Sequence, residues 1–429
     1  VSKKLSLNVR RTKTLNDAWV AIHRNARNSK SETTKNEIEE FSGNLQNNLK
    51  RIQLELRKKT FKFPPAKGIK IPKDKRNKNS FRPLVVAKVE SRIVQRAIHD
   101  VLVTVPEIQK YIYTPYRFGG VKKREDDNFA SVPAAIKAVL DAIGSGGSYI
   151  IRSDISSFFT RIPKSCVTKI VSDAVSDLEF LDLFSSAIAV ELENMAQLKS
   201  HASAFPISDI GVAQGNSLSP LLGNILLYDF DNELNKHSDV KCLRYIDDFI
   251  IIAPKQQVAE NAFSKAVHLL GKLGMGISTG KTQKANVENG FEFLGIDLSN
   301  GFIRPSRKSQ QRLIYSINST IKLCEKAFID HRSSNELDRA LSLIETLRKV
   351  SGIMQGWGKH YRFCNDTKCF ERLDIEVGNL IKDMLCIYRA EHARTDDAGR
   401  WRLLGIEAIS QIEKSPFIWP KKSLPAPVD

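Results

Sequence analysis

An α+β fold, a small antiparallel sheet among many helices, is what the sequence predicts. Three observations carry that expectation. The apolar run 242–253 is rich in β-branched residues but interrupted by Tyr245-Ile246-Asp247-Asp248, the pattern of a buried hairpin with an acidic turn. Residues 149–151 read as a second short strand, leading into Asp154. Elsewhere apolar residues recur three and four apart, the period of amphipathic helices. At 429 residues the chain exceeds one ordinary core and suits about two to four subdomains.

In order, residues 1–33 form a basic, polar arm with a helix over 15–26, suited either to ordering on RNA or to packing on the body. Ile38, Phe41, Leu45, Leu49, Ile52 and Leu56 predict one helix over 36–56. Residues 67–88 alternate apolar and basic positions, among them Lys73, Lys75, Arg76 and Lys78, and read as two strands carrying cations. Helical spacing resumes over 89–103, with Arg92 and Arg96 on one side, and again over 132–143. The stretch 164–198 is predicted helical. Ser219 is placed as a cap and Pro220 at the first position of a helix running over 221–234. After the hairpin come a helix over 258–273, a turn into a strand over 274–281 and a strand pair over 291–297. From 308 to about 392 the pattern is helical, with a break expected near the glycines of 352–358; 416–429 reads as an irregular tail.

Charge narrows the partners. Lys+Arg of 66 against Asp+Glu of 48 leaves +18, which with interleaved aromatics points to a polyanion, nucleic acid rather than membrane. No apolar run approaches the ~20 residues that span a bilayer, and Val1-Ser2-Lys3-Lys4 lacks the apolar core of a secretion signal, so a cytoplasmic protein without a membrane partner is expected. Of the scattered cysteines only Cys364 and Cys369 lie close, without a second pair, so reduced thiols are expected rather than zinc.

The acidic turn demands a reason, because burying unpaired carboxylates is costly. Cations would meet that cost. An aspartate ending one strand can meet the turn of a hairpin, and Asp154, Asp247 and Asp248 are then the set that holds two divalent ions about 3.5–4 Å apart in nucleotidyl transfer. Aspartate is hard and short, as magnesium prefers.

Lined up, the motifs resemble those of reverse transcriptases, specifically the bacterial lineage of group II intron, retron and phage-defence enzymes, over residues 45–365. The resemblance rests on Arg82-Pro83-Leu84, Asp154, Gln214-Gly215 with Ser219-Pro220, Tyr245-Ile246-Asp247-Asp248, Gly280-Lys281 and Phe293-Leu294-Gly295, all in family order. It implies a right-hand polymerase: fingers over 34–147, a palm over 148–303 with a helical fingers insertion near 164–205, a helical thumb over 304–392 and an extension over 393–429. It further implies two Mg2+ ions on Asp154, Asp247, Asp248 and the Ile155 carbonyl, and a triphosphate gripped by Arg82 and Lys75. Gln214 would abut nucleotide and template, Phe159 would exclude a ribose 2′-hydroxyl, and Lys281 would serve the pyrophosphate. Arg92, Arg96, Tyr245, the Phe293-Leu294-Gly295 grip, and Trp357, Lys359 and Arg362 of the thumb would touch nucleic acid.

The implied partners are dNTPs, an RNA template, expected to be a dedicated noncoding RNA, and the DNA product; a second copy or a second defence protein stays open. Ile246 and Asn216-Ser217-Leu218 depart from the intron and retron patterns, and no endonuclease motif follows the thumb. The expected role is therefore a stand-alone enzyme like the antiphage reverse transcriptases. Two alternatives stand beside it: a non-catalytic, maturase-like RNA binder and a template-independent or protein-primed DNA polymerase.

Overall fold

A computed structural model describes residues 4–27, 29, 31–74, 77–121, 129–334, 336–409 and 412–418. The chain divides into two compact units, Val1–Leu294 and Gly295–Asp429.

The first unit begins with α1 (Leu5–Val9) and α2 (Thr12–Arg27), whose apolar face, Leu15, Ala18, Trp19, Ile22 and Ala26, is buried. Of the two roles open to the amino-terminal arm, packing on the body is what these residues adopt: α2 lies against α5 (Val89–Leu102). The single helix expected over 36–56 is two, α3 (Glu32–Gly43) and α4 (Leu45–Lys58), because the chain turns at Gly43-Asn44; Asn44 leaves helical geometry at φ −132°. The basic strands are β1 (Lys67–Asp74) and β2 (Asn77–Val86), an antiparallel ribbon. Lys75 and Arg76 lie outside the described residues, and the side chain of Lys78 is likewise not described. Short α6 (Pro106–Gln109) and α7 (Ser131–Gly144) lead to β3 (Tyr149–Asp154).

The helical stretch expected over 164–198 is interrupted: α8 (Lys164–Ala174), α9 (Leu178–Ile188) and α10 (Met195–Leu198) are separated by extended chain. Asp177 makes the first break, capping α9 through Phe180 N while accepting Ser6 N at 2.9 Å. The helix expected over 221–234 begins earlier and is split into α11 (Ser219–Leu226) and α12 (Tyr228–Leu234). Ser219 lies inside it rather than capping it, and its hydroxyl instead donates to the Ala213 carbonyl at 2.7 Å.

The centre of the unit is a four-stranded antiparallel sheet ordered β4 (Lys241–Tyr245), β5 (Asp248–Ala253), β3, β6 (Gln283–Asn286). Helix α13 (Gln256–Lys272) packs on it and α7 lies against β4. Strand β5 is buried on both faces, which explains why Phe249, Ile250, Ile251 and Ile252 run without polar alternation. The unit closes with β7 (Phe291–Phe293).

The second unit starts with the hairpin β8 (Ile296–Ser299) and β9 (Phe302–Pro305), then α14 (Arg307–Ser334), α15 (Leu343–Tyr361), α16 (Thr367–Arg394) and α17 (Asp397–Leu404). The break expected near 352–358 is absent, for α15 runs straight through Gly352, Gly356 and Gly358. Each helical glycine costs roughly 1 kcal/mol. Burying Leu343, Val350 and Tyr361, at about 1.5–3 kcal/mol apiece, outweighs that. No described helix is long and apolar enough to cross a membrane.

Candidate active site

Asp154 closes β3 and Asp248 opens β5, and the antiparallel register sets them directly opposite each other. Asp247 occupies the two-residue turn before β5, and its carbonyl accepts the Ile155 amide at 3.0 Å, tying the end of β3 to that turn. Carboxylate oxygens of Asp154, Asp247 and Asp248 therefore all lie within 4.8 Å of one another, the one such acidic or thiol-bearing cluster among the described residues. Asp154 is buried, Asp247 half-buried and Asp248 exposed.

Like charges at this spacing repel. Burial, then Asp154 and Asp248, push the Asp247 carboxyl up to about 6; Asp248, though open to solvent on one side, is raised too, by partial desolvation in the crowded turn and by Asp154. Lys281 Nζ donates to Asp154 Oδ2 at 2.6 Å, the cation that the arrangement supplies for itself. That ammonium is 62% exposed, so water screens much of what the pair contributes.

A cavity of about 580 Å3 is lined by Lys73, Arg82, Ser157, Thr160, Arg161 and Gln214, among others, the serine lying on the chain that leaves β3 after Asp154. Gln214 reaches it because its loop pairs with β2: the Gln214 carbonyl accepts the Val85 amide at 3.2 Å. Arg82 and Lys73 project from the basic ribbon and are exposed. Arg161 is a cation that sequence reasoning missed; its position after Phe158-Phe159, on the turn that leaves β3, was the available signal. Phe158 is buried, while Phe159 is half-buried with its ring 5.2 Å from that of Phe158.

Of the other residues singled out by sequence, Tyr245 stands opposite Asp248 in the β4–β5 register. Arg92 lines a second cavity, of about 520 Å3, with Phe61, Ala87, Gln95 and Asn216, and burial lowers its pKa. Arg96 bonds Asp100 at 2.8 Å. Tyr245 shares a 2.8 Å hydrogen bond with Ser131. Phe293 is buried at the end of β7, and Leu294 and Gly295 turn the chain with φ of 51° and 77°. In the second unit Trp357 anchors helices, its ring 4.6 Å from Tyr361 and 5.9 Å from Phe370, whereas Lys359 and Arg362 are exposed. Lys75 is outside the described residues.

Sequence reasoning also missed a buried ionic cluster under the turn. Asp231 of α12 and Arg244 of β4 are fully buried, and Arg117 nearly so.

Comparison with known proteins gives the family of the chain. The family described as reverse transcriptase (RNA-dependent DNA polymerase) matches residues 71–298, more than half of the chain. Protein YkfC of Escherichia coli (strain K12) is 26% identical over 291 residues, covering 59% of this chain and 71% of that protein. The group II intron-encoded protein LtrA of Lactococcus lactis subsp. cremoris is 24% identical over 217 residues, covering 50% of this chain and 33% of LtrA. A solved structure, apo telomerase from Candida tropicalis, aligns at 15% identity over 57% of this chain and 55% of that one, with a TM-score of 0.40, too low to argue from.

Proposed function

Because the chain belongs to the reverse transcriptase family, and is an RNA-directed DNA polymerase with the α+β fold of a right-hand polymerase, we propose that Asp154, Asp247 and Asp248, with the Ile155 carbonyl, hold two magnesium ions and that dNTPs enter the basic cavity lined by Arg82, Arg161 and Gln214. The observation that carries this reading is the convergence of three carboxylates within 4.8 Å at the end of a buried sheet. Like charges directly opposite one another destabilise a ladder, and Lys281 and Arg152 offset only part of the repulsion. Short, hard oxygen donors that repel until a cation arrives are the donor set magnesium prefers. Bound there, magnesium supplies charge neutralisation at the phosphates and a lower pKa for the attacking 3′-hydroxyl.

The remaining roles belong to the chain itself. Arg82, Lys73 and Arg161 line the cavity and would grip the triphosphate, a role also proposed for Lys75; guanidinium groups do so bidentately. Gln214 offers an amide to nucleotide and template. Phe159, less buried than Phe158, would close the space beside the sugar 2′-carbon and favour deoxynucleotides. The Lys281 ammonium, on Asp154 Oδ2 in the free protein, would deliver a proton to the leaving pyrophosphate. Exposed Lys359 and Arg362 are the better-supported thumb contacts, since Trp357 already anchors helices. Arg92, Arg96, Tyr245 and the Phe293-Leu294-Gly295 turn complete the proposed nucleic-acid path.

The division into fingers (34–147), palm (148–303) and thumb (304–392) is part of this reading. The four-stranded sheet in the second span and the long helices α14 to α16 in the third support it. The template is an RNA made alongside the protein and copied in antiphage defence, a role supported by the motif resemblance. Sequencing the nucleic acid that copurifies tests it: a discrete RNA with complementary DNA, together with fewer plaques on expressing cells, is expected, and random cellular RNA with unchanged plaque counts defeats it.

A further inference from the structure

Arg244 is the largest side chain with no exposure at all among the described residues, and it lies directly beneath the acidic turn. Its Nε and Nη2 donate to the two oxygens of Asp231 at 2.7 and 2.6 Å. The remaining nitrogen, Nη1, donates to the Ile246 carbonyl at 2.7 Å and, more weakly, to Asn224 Oδ1 at 3.3 Å. Ile246 immediately precedes Asp247 and holds a φ of 61°, a left-handed conformation that a β-branched residue adopts only under constraint. From the other side Gly119 presses on the same residue so closely that a Cβ there would stand 2.6 Å from Ile246 Cγ1 and 2.7 Å from Ile246 N. Asn224 holds the Gly119 carbonyl at 3.1 Å, and the Tyr116 carbonyl and Phe118 amide bond the Arg244 backbone.

We infer that Arg244 is a positioning residue for the polymerase reaction: anchored by Asp231, it clamps the Ile246 carbonyl and so holds the strained turn that aims Asp247 and Asp248 at Asp154. The action is geometric. One guanidinium spans the anchor and the turn, a reach that its planar fork provides and an ammonium does not. Arg117 makes the contrast, since it bonds the same Asp231 oxygen at 3.0 and 2.8 Å. No bond joins it to Ile246 among the contacts of the described residues, and its own Nη1 has no partner. Arg117 serves the anchor, Arg244 the turn.

This inference rests on the acidic cluster being the metal site, so the experiment separates the two. dTTP incorporation on poly(rA)–oligo(dT) is measured across Mg2+ concentrations for wild type, Arg244→Lys, Arg117→Lys and Asp247→Asn, each with a thermal melt. Arg244→Lys is expected to lose at least about tenfold in kcat and to need more Mg2+ for half-maximal rate, as a misplaced reactive group does, with KM for dTTP within about twofold. Arg117→Lys lowers the melting temperature and leaves kcat and the Mg2+ midpoint alone. Equal behaviour of the two lysine variants in kcat and Mg2+ dependence, with Asp247→Asn inactive, overturns the positioning role and spares the metal site; an active Asp247→Asn overturns the site reading itself. Should Arg244→Lys fail to fold, Asn224→Ala, which loosens the same guanidinium without removing a charge, must show the same split at smaller size. Wild-type kcat and Mg2+ midpoint in that variant reject the inference.

Discussion

Two clusters of charge sit at the same end of one sheet and could hardly be treated more differently. Above the turn, Asp154, Asp247 and Asp248 crowd together with one exposed lysine in reach. Below it, Asp231 is enclosed by Arg117 and Arg244 with no exposure on any of the paired side chains. In the lower cluster Arg244 meets both Asp231 oxygens and Arg117 shares one of them, so that most of the desolvation, though not that of Arg117 Nη1, is met inside the protein. The upper one is left incomplete, and keeping Asp247 ionised there costs on the order of 3 kcal/mol at most, less what solvent screens. The contrast separates charge that builds the fold from charge held ready for a ligand.

The largest effect that tests this contrast is on chemistry. Replacing both Asp247 and Asp248 by Asn should reduce primer extension on an RNA template by about a thousandfold or more, as loss of an essential electrostatic group does, while gel-shift affinity for RNA is kept or improved. Extension at the wild-type rate would end the catalytic assignment. Next comes the lower cluster. Asp231→Ala strands two buried guanidinium groups, and denaturant unfolding should show a loss of about 3–5 kcal/mol; a loss under 1 kcal/mol would mean that water reaches the cluster.

Smaller, and of opposite sign, is the effect of Asp247→Asn on the metal-free protein. A carboxyl raised to about 6 binds its proton more readily folded than unfolded. Its contribution is therefore fully present below about 3.8, is lost as pH rises through about 6, and leaves ionised Asp247 opposing the fold at neutral pH. The amide variant should melt higher than wild type at pH 7 and at the same temperature near pH 4, and Mg2+ should stabilise wild type more than the variant. A lower melting point for the variant at pH 7 would show that Asp247 is held by something other than repulsion. The mildest change is Arg82→Ala, expected to raise KM for dNTP about tenfold with kcat less affected, the scale of one charge-assisted hydrogen bond; an unchanged KM would remove Arg82 from the triphosphate cavity.

Much of this is legible in the sequence alone. The acidic turn stood out because Asp247 and Asp248 interrupt a run that otherwise belongs in a core, and Gln214, Arg82 and Lys281 came with it through the order of motifs. Breaks in helices were read poorly. The Gly43-Asn44 turn falls inside a continuous helical pattern, and the glycines of 352–358 suggest a break where α15 is continuous, since local glycine content is a weaker term than the packing of neighbouring faces. Arg161 was hidden for another reason: a lone basic residue in a basic chain carries no signal until the fold shows which cavity it lines.

By itself the sequence determined the strand pattern, the positive charge, the acidic triplet and hence the class of chemistry, because apolar runs, composition and motif order are read along the chain without knowing what pairs with what. Only the tertiary structure decided that Asp154 faces Asp248, and that Arg244, an unremarked residue before Tyr245, is walled in beneath the turn with Asp231 and Arg117. Pairings between distant segments depend on strand register and on how helices close over a sheet, and neither is written in any single stretch of residues.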